Sequence, residues 1–344
     1  MQDRLIIAPG TDPNQYYASG LDLHGHFITL ARGNKRIVAG GGFEYPQLKA
    51  KYPAAIRFED LGKTWPEIIK AFCKKNNVKK PLMTSTTAAG IYKRVPNAQL
   101  SNDLFPERAV KSAKEIKHIK AATKVTEKAI TAVRNVLAEA RVVNGRATHA
   151  NKPLTSEYLK RVAAVALAEE NYACPDMIIS SGKQGALPHH QGSGVIREGA
   201  IVVDIFPCSN ESFYYSDMTR TFVLGQTPKT FEARYAAVLA AHARSTRAIK
   251  HGAKNVEQVA KNTFTEHEML TDTKKGTGYI HSLGHGVGLE IHEEPRLGDS
   301  LSAGNVITVE PGLYYDYGIR VEDIGRVTKT GFDNFSKLTK NPYL

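Results

Sequence analysis

Two segments near the carboxyl terminus constrain the fold most, because each places acidic residues inside strongly apolar stretches. AIVVDIF (200–206) and FYYSDMTRTFVLG (213–225) flank the turn-rich PCSNES, while NVITVEPGLYY (305–315) and GIRVEDIGRVT (318–328) flank a short tip around Asp316. Apolar runs separated by such turn residues predict two β-hairpins. The chain must therefore fold in a way that accommodates carboxylates within buried strands.

The alignment of each hairpin predicts which acids face each other. A turn centred in PCSNES places Asp204 directly opposite Asp217. A tip at Asp316 likewise places Glu310 directly opposite Glu322. Facing side chains lie about 5 Å apart at Cβ, where like charges are destabilising. Two such pairs in apolar strands indicate carboxylates that share protons or bind cations.

The segment HSLGHGVGLEIHEEP (281–295) carries three histidines among closely spaced glycines. His281 and His285 are spaced as two imidazoles on one helix face, which is compatible with a zinc helix. The glycines between 284 and 288 argue against that helix, since each costs a helix interior about 1 kcal/mol relative to alanine. They favour an extended segment that another part of the chain approaches closely. A loop that merely accumulates glycine and histidine is the alternative.

In an extended segment, His285 and His292 point to opposite faces, so one could be a ligand while the other does different work. Adding His285 to the four acids gives an oxygen-rich set with a single nitrogen. Such a set favours two divalent ions, Mn²⁺ first, with Co²⁺, Fe²⁺ or Zn²⁺ as alternatives. Two ions about 3.5–4 Å apart would activate a bridging hydroxide at neutral pH, which predicts a hydrolase.

The length of 344 residues predicts two domains. Residues 1–105 alternate short strands and helices, and a long amphipathic helix follows Ser112. We place the boundary just before it, giving domains 1–108 and 109–344. In the second domain strands and helices are segregated, which predicts an α+β fold with a mainly antiparallel sheet.

Composition limits the cellular compartment and the classes of partner that we expect for this protein. Three widely separated cysteines, no apolar run near 18 residues and no apolar leader predict a cytoplasmic protein without a membrane partner. The formal net charge of +12 could attract nucleic acid. The basic residues are spread along helices and favour a solvated surface, so we expect no nucleic-acid partner.

Five motifs in the order LPHH (187–190), DIF…YYSDMTRTF (204–222), HSLGHGVGLEIHEEPR (281–296), TVEPGLY (308–314) and GIRVEDIGRV (318–327) carry a specific resemblance. The sequence resembles the methionine aminopeptidase/creatinase ("pita-bread") family, in its branch of prolidases and aminopeptidases P. The resemblance implies a pita-bread catalytic domain with a curved sheet, preceded by a smaller α/β creatinase/prolidase-like domain. By analogy it also implies a homodimer.

The resemblance implies roles for particular residues. The five positions that match the metal ligands of the family are Asp204, Asp217, His285, Glu310 and Glu322. Among them, Asp217 and Glu322 would bridge the two ions, and Glu310 would also move protons.

Further positions match substrate and supporting residues of the family. His189 matches a histidine that faces substrate, and His281 and His292 match histidines that support the scissile carbonyl and its tetrahedral intermediate. Arg320 is similar to an arginine that supports the ligands. Arg296 matches an arginine that receives the carboxylate of a dipeptide.

These matches predict hydrolysis of the Xaa-Pro bond in proline-containing dipeptides, as in a prolidase. The alternative within the branch is an aminopeptidase P that acts on Xaa-Pro-Yaa peptides. A different class, a non-catalytic pita-bread protein binding nucleic acid or a protein partner, is favoured only by the net charge. One departure is that Asp204 and Asp217 are two residues further apart than is usual in the family, which lengthens the intervening loop.

Overall fold

The computed structural model describes residues 2–344 and divides into two compact units, the first ending at Pro106 and the second running from Glu107 to Leu344. Within residues 2–344, no helix is both long and apolar enough to cross a membrane.

The smaller unit is built on one mixed six-stranded sheet with the order β4-β3-β2-β1-β5-β6. Its strands are β1 (Arg4–Ala8), β2 (Phe27–Arg32), β3 (Lys35–Gly40), β4 (Ile56–Arg57), β5 (Leu82–Thr84) and β6 (Gln99–Ser101). Its helices are α1 (Pro13–Ser19), α2 (Tyr45–Lys51), α3 (Trp65–Lys75) and α4 (Ala89–Tyr92). A capping box formed by Thr64 and Glu67 starts α3, whose buried Ile69 and Phe72 pack in the unit's core.

Four helices cover the sheets of the larger unit. They are α5 (Ala113–Glu139), α6 (Ser156–Ala168), α7 (Phe231–Ala248) and α8 (Val256–Glu266). The long helix begins as its sequence predicts, because Ser112 and Glu115 satisfy each other's backbone N–H groups. α7 ends at Ala248 because Ile249 is already extended.

The strands of the larger unit pair antiparallel throughout the described ladders. They are β7 (Arg141–Val143), β8 (Arg146–His149), β9 (Lys152–Pro153), β10 (Tyr172–Ala173), β11 (Ile178–Ser181), β12 (Gly199–Ile205), β13 (Cys208–Ser209), β14 (Met218–Leu224), β15 (His285–Gly286), β16 (Glu293–Arg296), β17 (Val306–Val309), β18 (Gly312–Tyr314), β19 (Gly318–Arg320), β20 (Asp323–Val327) and β21 (Phe332–Asn334). The main ladders are β11-β12-β14 and β16-β15-β17-β20-β21. This architecture is α+β, as the sequence predicts.

The two faces of β12 and β14 have different surroundings. One face contributes Val203 and Phe222 to a core shared with α5 and α6. Because successive side chains alternate between faces, Asp204 and Thr219 project to the opposite side. A second core, which includes residues of α7, α8 and β17, lies beyond that side. The acids are thus held between two apolar layers.

The register of the first hairpin differs from the predicted one. Asp204 pairs with Thr219, so Asp217 is not directly opposite it. The loop closes two residues later than expected, through a turn in which Phe213 adopts a positive φ of 60° and its N–H donates to the Ser209 carbonyl. The shift is two residues, so both aspartates still face the same side.

The register of the second hairpin is confirmed. β17 with β20 and β18 with β19 follow one continuous alignment around the tip at Asp316. Glu310 and Glu322 lie opposite each other in the gap between these two ladders. The predicted single strand 305–315 is broken there because Pro311 has no N–H to donate.

A buried ion-pair network lies directly behind Glu322. Asp323 accepts from the Arg220 guanidinium at 2.9 Å and lies 2.5 Å from Nζ of Lys340. The side chains of Arg220 and Asp323 are 1% and 0% exposed. Burial raises the pKa of the Asp323 carboxyl, but the contact with His242, whose Nε2 lies 3.3 Å from Oδ2, and the charges of Arg220 and Lys340 hold it well below its usual range.

We expect Asp323→Asn to destabilise the larger unit by about 3–5 kcal/mol, because it leaves buried cations without a counter-charge. Urea denaturation followed by circular dichroism measures the change. The control is Arg244→Ala, which removes a surface pair with Glu266 and should cost less than about 1 kcal/mol. Equal losses in the two variants would contradict the assignment of the network.

Candidate active site

The four acidic residues lie at or near the ends of strands, and these strand ends meet at one site. Asp204 lies near the end of β12 and Asp217 immediately before β14. Glu310 follows β17, and Glu322 lies between β19 and β20. Asp204, Asp217 and Glu322 are buried, and Glu310 is partly buried, with a side chain 14% exposed.

The structure brings three predicted ligands within reach of a single ion. One ligand atom each of Asp217, His285 and Glu322 lies within 4.8 Å of the others. Nε2 of His285 lies 3.6 Å from Oδ2 of Asp217 and 3.3 Å from Oε1 of Glu310. Asp204 lies outside this closest group, but its charge contributes to raising the pKa values of Asp217, Glu310 and Glu322.

The hydrogen bonds of His285 orient its ring for binding. Nδ1 is 3.2 Å from the Gly286 carbonyl, which only accepts, so Nδ1 carries the proton. Burial and the neighbouring His292 lower the pKa of His285 to about 3, so the ring is neutral at pH 7. Nε2 therefore presents a lone pair towards the carboxylates of Asp217 and Glu310.

Arg320 is the cation that contacts the cluster directly. Its buried guanidinium donates to Oδ2 of Asp204 at 2.5 Å, to the Thr219 hydroxyl at 3.0 Å and to the Tyr314 hydroxyl at 2.9 Å. Thr219 in turn donates to Oε2 of Glu322 at 2.8 Å. One guanidinium does not balance four carboxylates, so the cluster keeps an excess of negative charge.

The excess negative charge of the cluster favours the protonated forms of its acids. Burial, reinforced by neighbouring carboxylates, raises the pKa values of Asp217 and Glu322 well above their usual range. Burial also raises the pKa of Glu310 to about 7.

The residues fit a divalent-cation site. Within residues 2–344, Oδ1 of Asp204 and Oδ1 of Asp217 are buried and have no hydrogen-bond donor. A buried acceptor without a donor costs about 1–3 kcal/mol, which a cation would offset. The donor set, carboxylate oxygens with one imidazole nitrogen, matches the preference of Mn²⁺ and related ions.

His281 is tied to the protein by both ring nitrogens. Nδ1 lies 2.7 Å from the Ser282 carbonyl and so donates to it, while Nε2 lies 3.0 Å from the Tyr314 hydroxyl. Burial and the charge of Arg320 lower the pKa of His281 to about 4, so the ring is neutral and its Nε2 accepts a hydrogen bond from the Tyr314 hydroxyl. His281 therefore ends a hydrogen-bond chain that runs from Arg320 through Tyr314. The role implied for it by the resemblance, support of the scissile carbonyl and its tetrahedral intermediate, stays a prediction.

His285 and His292 do not point to opposite faces, as an extended segment would require. Their rings meet edge to face with centroids 4.2 Å apart. The segment is extended only over β15 and then bends before β16, which returns His292 to the site. His292 is exposed, and its ring lies against that of His285.

The other predicted substrate residues lie further out. His189 is exposed in a turn, and its charge contributes to lowering the pKa values of His281 and His292. The side chain of Arg296 is 85% exposed and lies 3.6 Å from Glu294. The structure thus brings His189 near the histidines, whereas Arg296 points to solvent.

Sequence reasoning missed two threonine hydroxyls in the site and the contacts made by the Tyr314 hydroxyl. Thr219 bonds Glu322, Thr308 donates to Oε1 of Glu310 at 3.3 Å, and Tyr314 joins Arg320 to His281. Each threonine lies two residues from a candidate ligand, on the same face of its strand. That period of two is the signal that could have found them.

The chain is similar to known metallopeptidases. The model of metallopeptidase family M24 matches residues 117–329. The Xaa-Pro dipeptidase of Pyrococcus furiosus is 30% identical over 366 aligned residues, covering 98% of this chain and 94% of that protein. The chain belongs to metallopeptidase family M24. It is therefore a metallopeptidase, and it falls in the prolidase/aminopeptidase P branch of M24.

Solved structures of this branch of M24 share the fold. The prolidase of Pyrococcus horikoshii has a TM-score of 0.81 with 27% identity, covering 99% of this chain and 95% of that one. An X-Pro aminopeptidase of Thermotoga maritima also has a TM-score of 0.81, at 24% identity, covering 99% and 97%. The pita-bread fold implied by the motifs is confirmed. The fold does not distinguish the two activities.

The raised carboxyl pKa values predict that cation binding releases protons. At pH 6 Glu310, with its pKa of about 7, is mainly protonated, and at pH 8 it is mainly ionised. The affinity of the metal-free protein for Mn²⁺ should therefore rise about tenfold or more from pH 6 to pH 8. Calorimetric titration in buffers of different ionisation enthalpy measures both the affinity and the protons released.

The control is Glu310→Gln, which cannot titrate at this position and should show a weaker dependence on pH across 7. An affinity that does not change with pH, with no proton release, would contradict the proton-sharing arrangement.

Proposed function

We propose that this metallopeptidase is a prolidase, which hydrolyses the Xaa-Pro bond of dipeptides with two divalent ions. The five ligands are Asp204, Asp217, His285, Glu310 and Glu322. The observation that carries the proposal is the close, buried grouping of Asp217, His285 and Glu322. The relative named Xaa-Pro dipeptidase, similar over almost the whole chain, supports the substrate class.

When bound, the ions polarise a scissile carbonyl and make water acidic near neutral pH. Glu310, which lies 3.3 Å from Nε2 of His285 and accepts from Thr308, is placed to accept a proton from the attacking water and deliver it to the leaving nitrogen. A proline nitrogen in a peptide bond carries no hydrogen, so the proton it gains on leaving must be delivered. Thr308 orients the Glu310 carboxylate for this transfer.

His292 is the donor that faces the substrate side. It is exposed and packs against His285, so its ring can donate to the oxygen that gains charge in the transition state. His281 acts differently, because both of its nitrogens are engaged by Ser282 and Tyr314. It holds Tyr314 and Arg320 in place behind the candidate ligands.

An aminopeptidase P acting on Xaa-Pro-Yaa peptides is the second candidate. The exposure of Arg296 favours it, since that side chain does not close a dipeptide-sized pocket. Membership in M24, together with the complete set of five candidate ligands, argues against the non-catalytic alternative that the net charge had favoured. Mn²⁺ as the native ion, a homodimer and a cytoplasmic location stay predictions of the sequence.

We expect Asp217→Ala to lose both bound Mn²⁺ and hydrolysis of an Xaa-Pro dipeptide. The loss of kcat/KM should exceed the 10–100-fold that is typical of residues which only support a ligand. Elemental analysis and a proline-release assay measure the two effects. Asp60→Ala, which replaces an exposed aspartate of the smaller unit, should change neither. Full turnover by Asp217→Ala would refute the ligand assignment.

Substrate length is tested with an Xaa-Pro dipeptide beside the matching Xaa-Pro-Yaa tripeptide. A prolidase should show the higher kcat/KM on the dipeptide. Arg296→Met should raise KM for the dipeptide with little change in kcat, because a carboxylate contact far from the reacting bond contributes uniform binding. Preference for the tripeptide, with no effect of Arg296→Met, would instead establish an aminopeptidase P. Arg244→Met is the matched surface control.

A further inference from the structure

An ion-pair cluster with no role in the chemistry above joins Glu293, the first residue of β16, and Glu290, an exposed residue of the preceding bend, to Arg108 and Lys111. Glu293 accepts from Arg108 and from Lys111, each at 2.5 Å, and Glu290 accepts from Arg108 at 2.8 Å. The side chains of Lys111 and Glu293 are 1% and 7% exposed. We call these four residues the Glu293 clamp.

The clamp fixes the segment that carries His292. Glu293 follows His292 directly, and its Oε2 also accepts from the backbone N–H of Glu290 at 3.3 Å. At the other end of the bend, the Gly288 carbonyl accepts from the N–H of Tyr215 at 2.9 Å. Residues 287–292 lie outside the described strands, so these contacts define their path.

Gly288 leaves the space that the Glu293 carboxylate occupies. A Cβ atom added at Gly288 would lie 2.2 Å from Oε1 of Glu293, which is too close for any other residue without displacing the carboxylate. This explains one of the glycines in the segment 281–295. The glycines of this segment predict that another part of the chain approaches it closely. At Gly288 that part is the charged side chain of Glu293, which must stay in one position.

Stability alone does not account for the clamp. Burying an ammonium group and a carboxylate costs several kcal/mol each, and well-packed apolar residues of similar volume are often as stable or more stable. Such ion pairs do, however, fix one geometry, because each oxygen requires its donor. The Lys111 ammonium and the Arg108 guanidinium approach different oxygens of Glu293, which fixes the carboxylate in direction as well as position.

We propose that Arg108 and Lys111 are positioning residues for His292. Through the carboxylate of Glu293 they hold the bend so that the His292 ring lies against His285. The kinetic part of this inference rests on the proposed function, in which His292 donates to the substrate. The geometric part concerns the two imidazole rings only and can be tested without any substrate.

The test is Lys111→Met, which removes the charge while keeping an unbranched side chain. The geometric readout is the nuclear Overhauser contact between the His285 and His292 ring protons in the metal-free protein with selectively labelled histidine. We expect this contact to be lost. Lys128→Met is the matched control, since Lys128 of α5 pairs with Glu170 at the surface, and it should retain the contact.

The kinetic readout is a double-mutant cycle with His292→Ala. Lys111→Met should lower kcat for an Xaa-Pro dipeptide by about 10–100-fold with KM unchanged. It should cause no further loss when His292 is already alanine. Lys111→Arg, which keeps the charge, should recover most of kcat.

Retention of the ring contact in Lys111→Met would overturn the proposal, whatever the activity of the protein. An equal loss of kcat with and without His292 would also overturn it, because that is the signature of a purely structural residue. If Lys111→Met does not fold, the double variant Lys111→Met/Glu293→Gln removes both charges and must lose the contact for the proposal to stand. A protein that lacks peptidase activity but loses the contact as expected would refute only the proposed function.

Discussion

Burying four carboxylates around one imidazole is the constraint on which the rest of the larger unit depends. Each ionised carboxylate loses its hydration, at a cost of several kcal/mol, and repels the others. Arg320 compensates only part of that charge, through its contact with Asp204. The cluster must therefore hold protons or divalent cations. The raised pKa values of Asp217, Glu310 and Glu322 mean that, without cations, these carboxyl groups tend to hold protons.

The surrounding structure keeps these acids from separating. Strands β12 and β14 are buried on both faces, with one core shared with α5 and α6 and another that contains residues of α7 and α8. Behind Glu322, Arg220 and Lys340 balance Asp323 and so anchor the strand that follows. The hydroxyl groups of Thr219 and Thr308 fix the carboxylates of Glu322 and Glu310. Two of the candidate ligands, Glu310 and Glu322, are therefore oriented before any ion binds.

Local periodicity predicted the parts of this site that depend on one strand or one turn. The faces of Asp204 and Asp217 follow from the alternation of side chains, and the tip at Asp316 fixed the second hairpin correctly. The first register was wrong by two residues, because the turn depends on a positive φ at Phe213 and no glycine marks that position. The capping box of α5 could be predicted from the sequence because Ser112 and Glu115 are three residues apart.

Contacts between distant parts of the chain could not be derived from pattern alone. The meeting of His285 and His292 depends on a bend whose anchor, Glu293, pairs with Arg108 and Lys111, more than 180 residues earlier. The engagement of His281 with Tyr314 likewise requires the folded sheet. Spacing in the sequence gives the residue types of such a site, whereas their orientation comes from tertiary packing.

The most direct test of the central claim is diffraction at the manganese absorption edge from crystals grown with Mn²⁺. We expect anomalous peaks for two ions, enclosed by Asp204, Asp217, His285, Glu310 and Glu322, with Arg320 remaining beside them. Peaks located elsewhere, or five side chains that point away from one another around an empty space, would contradict it.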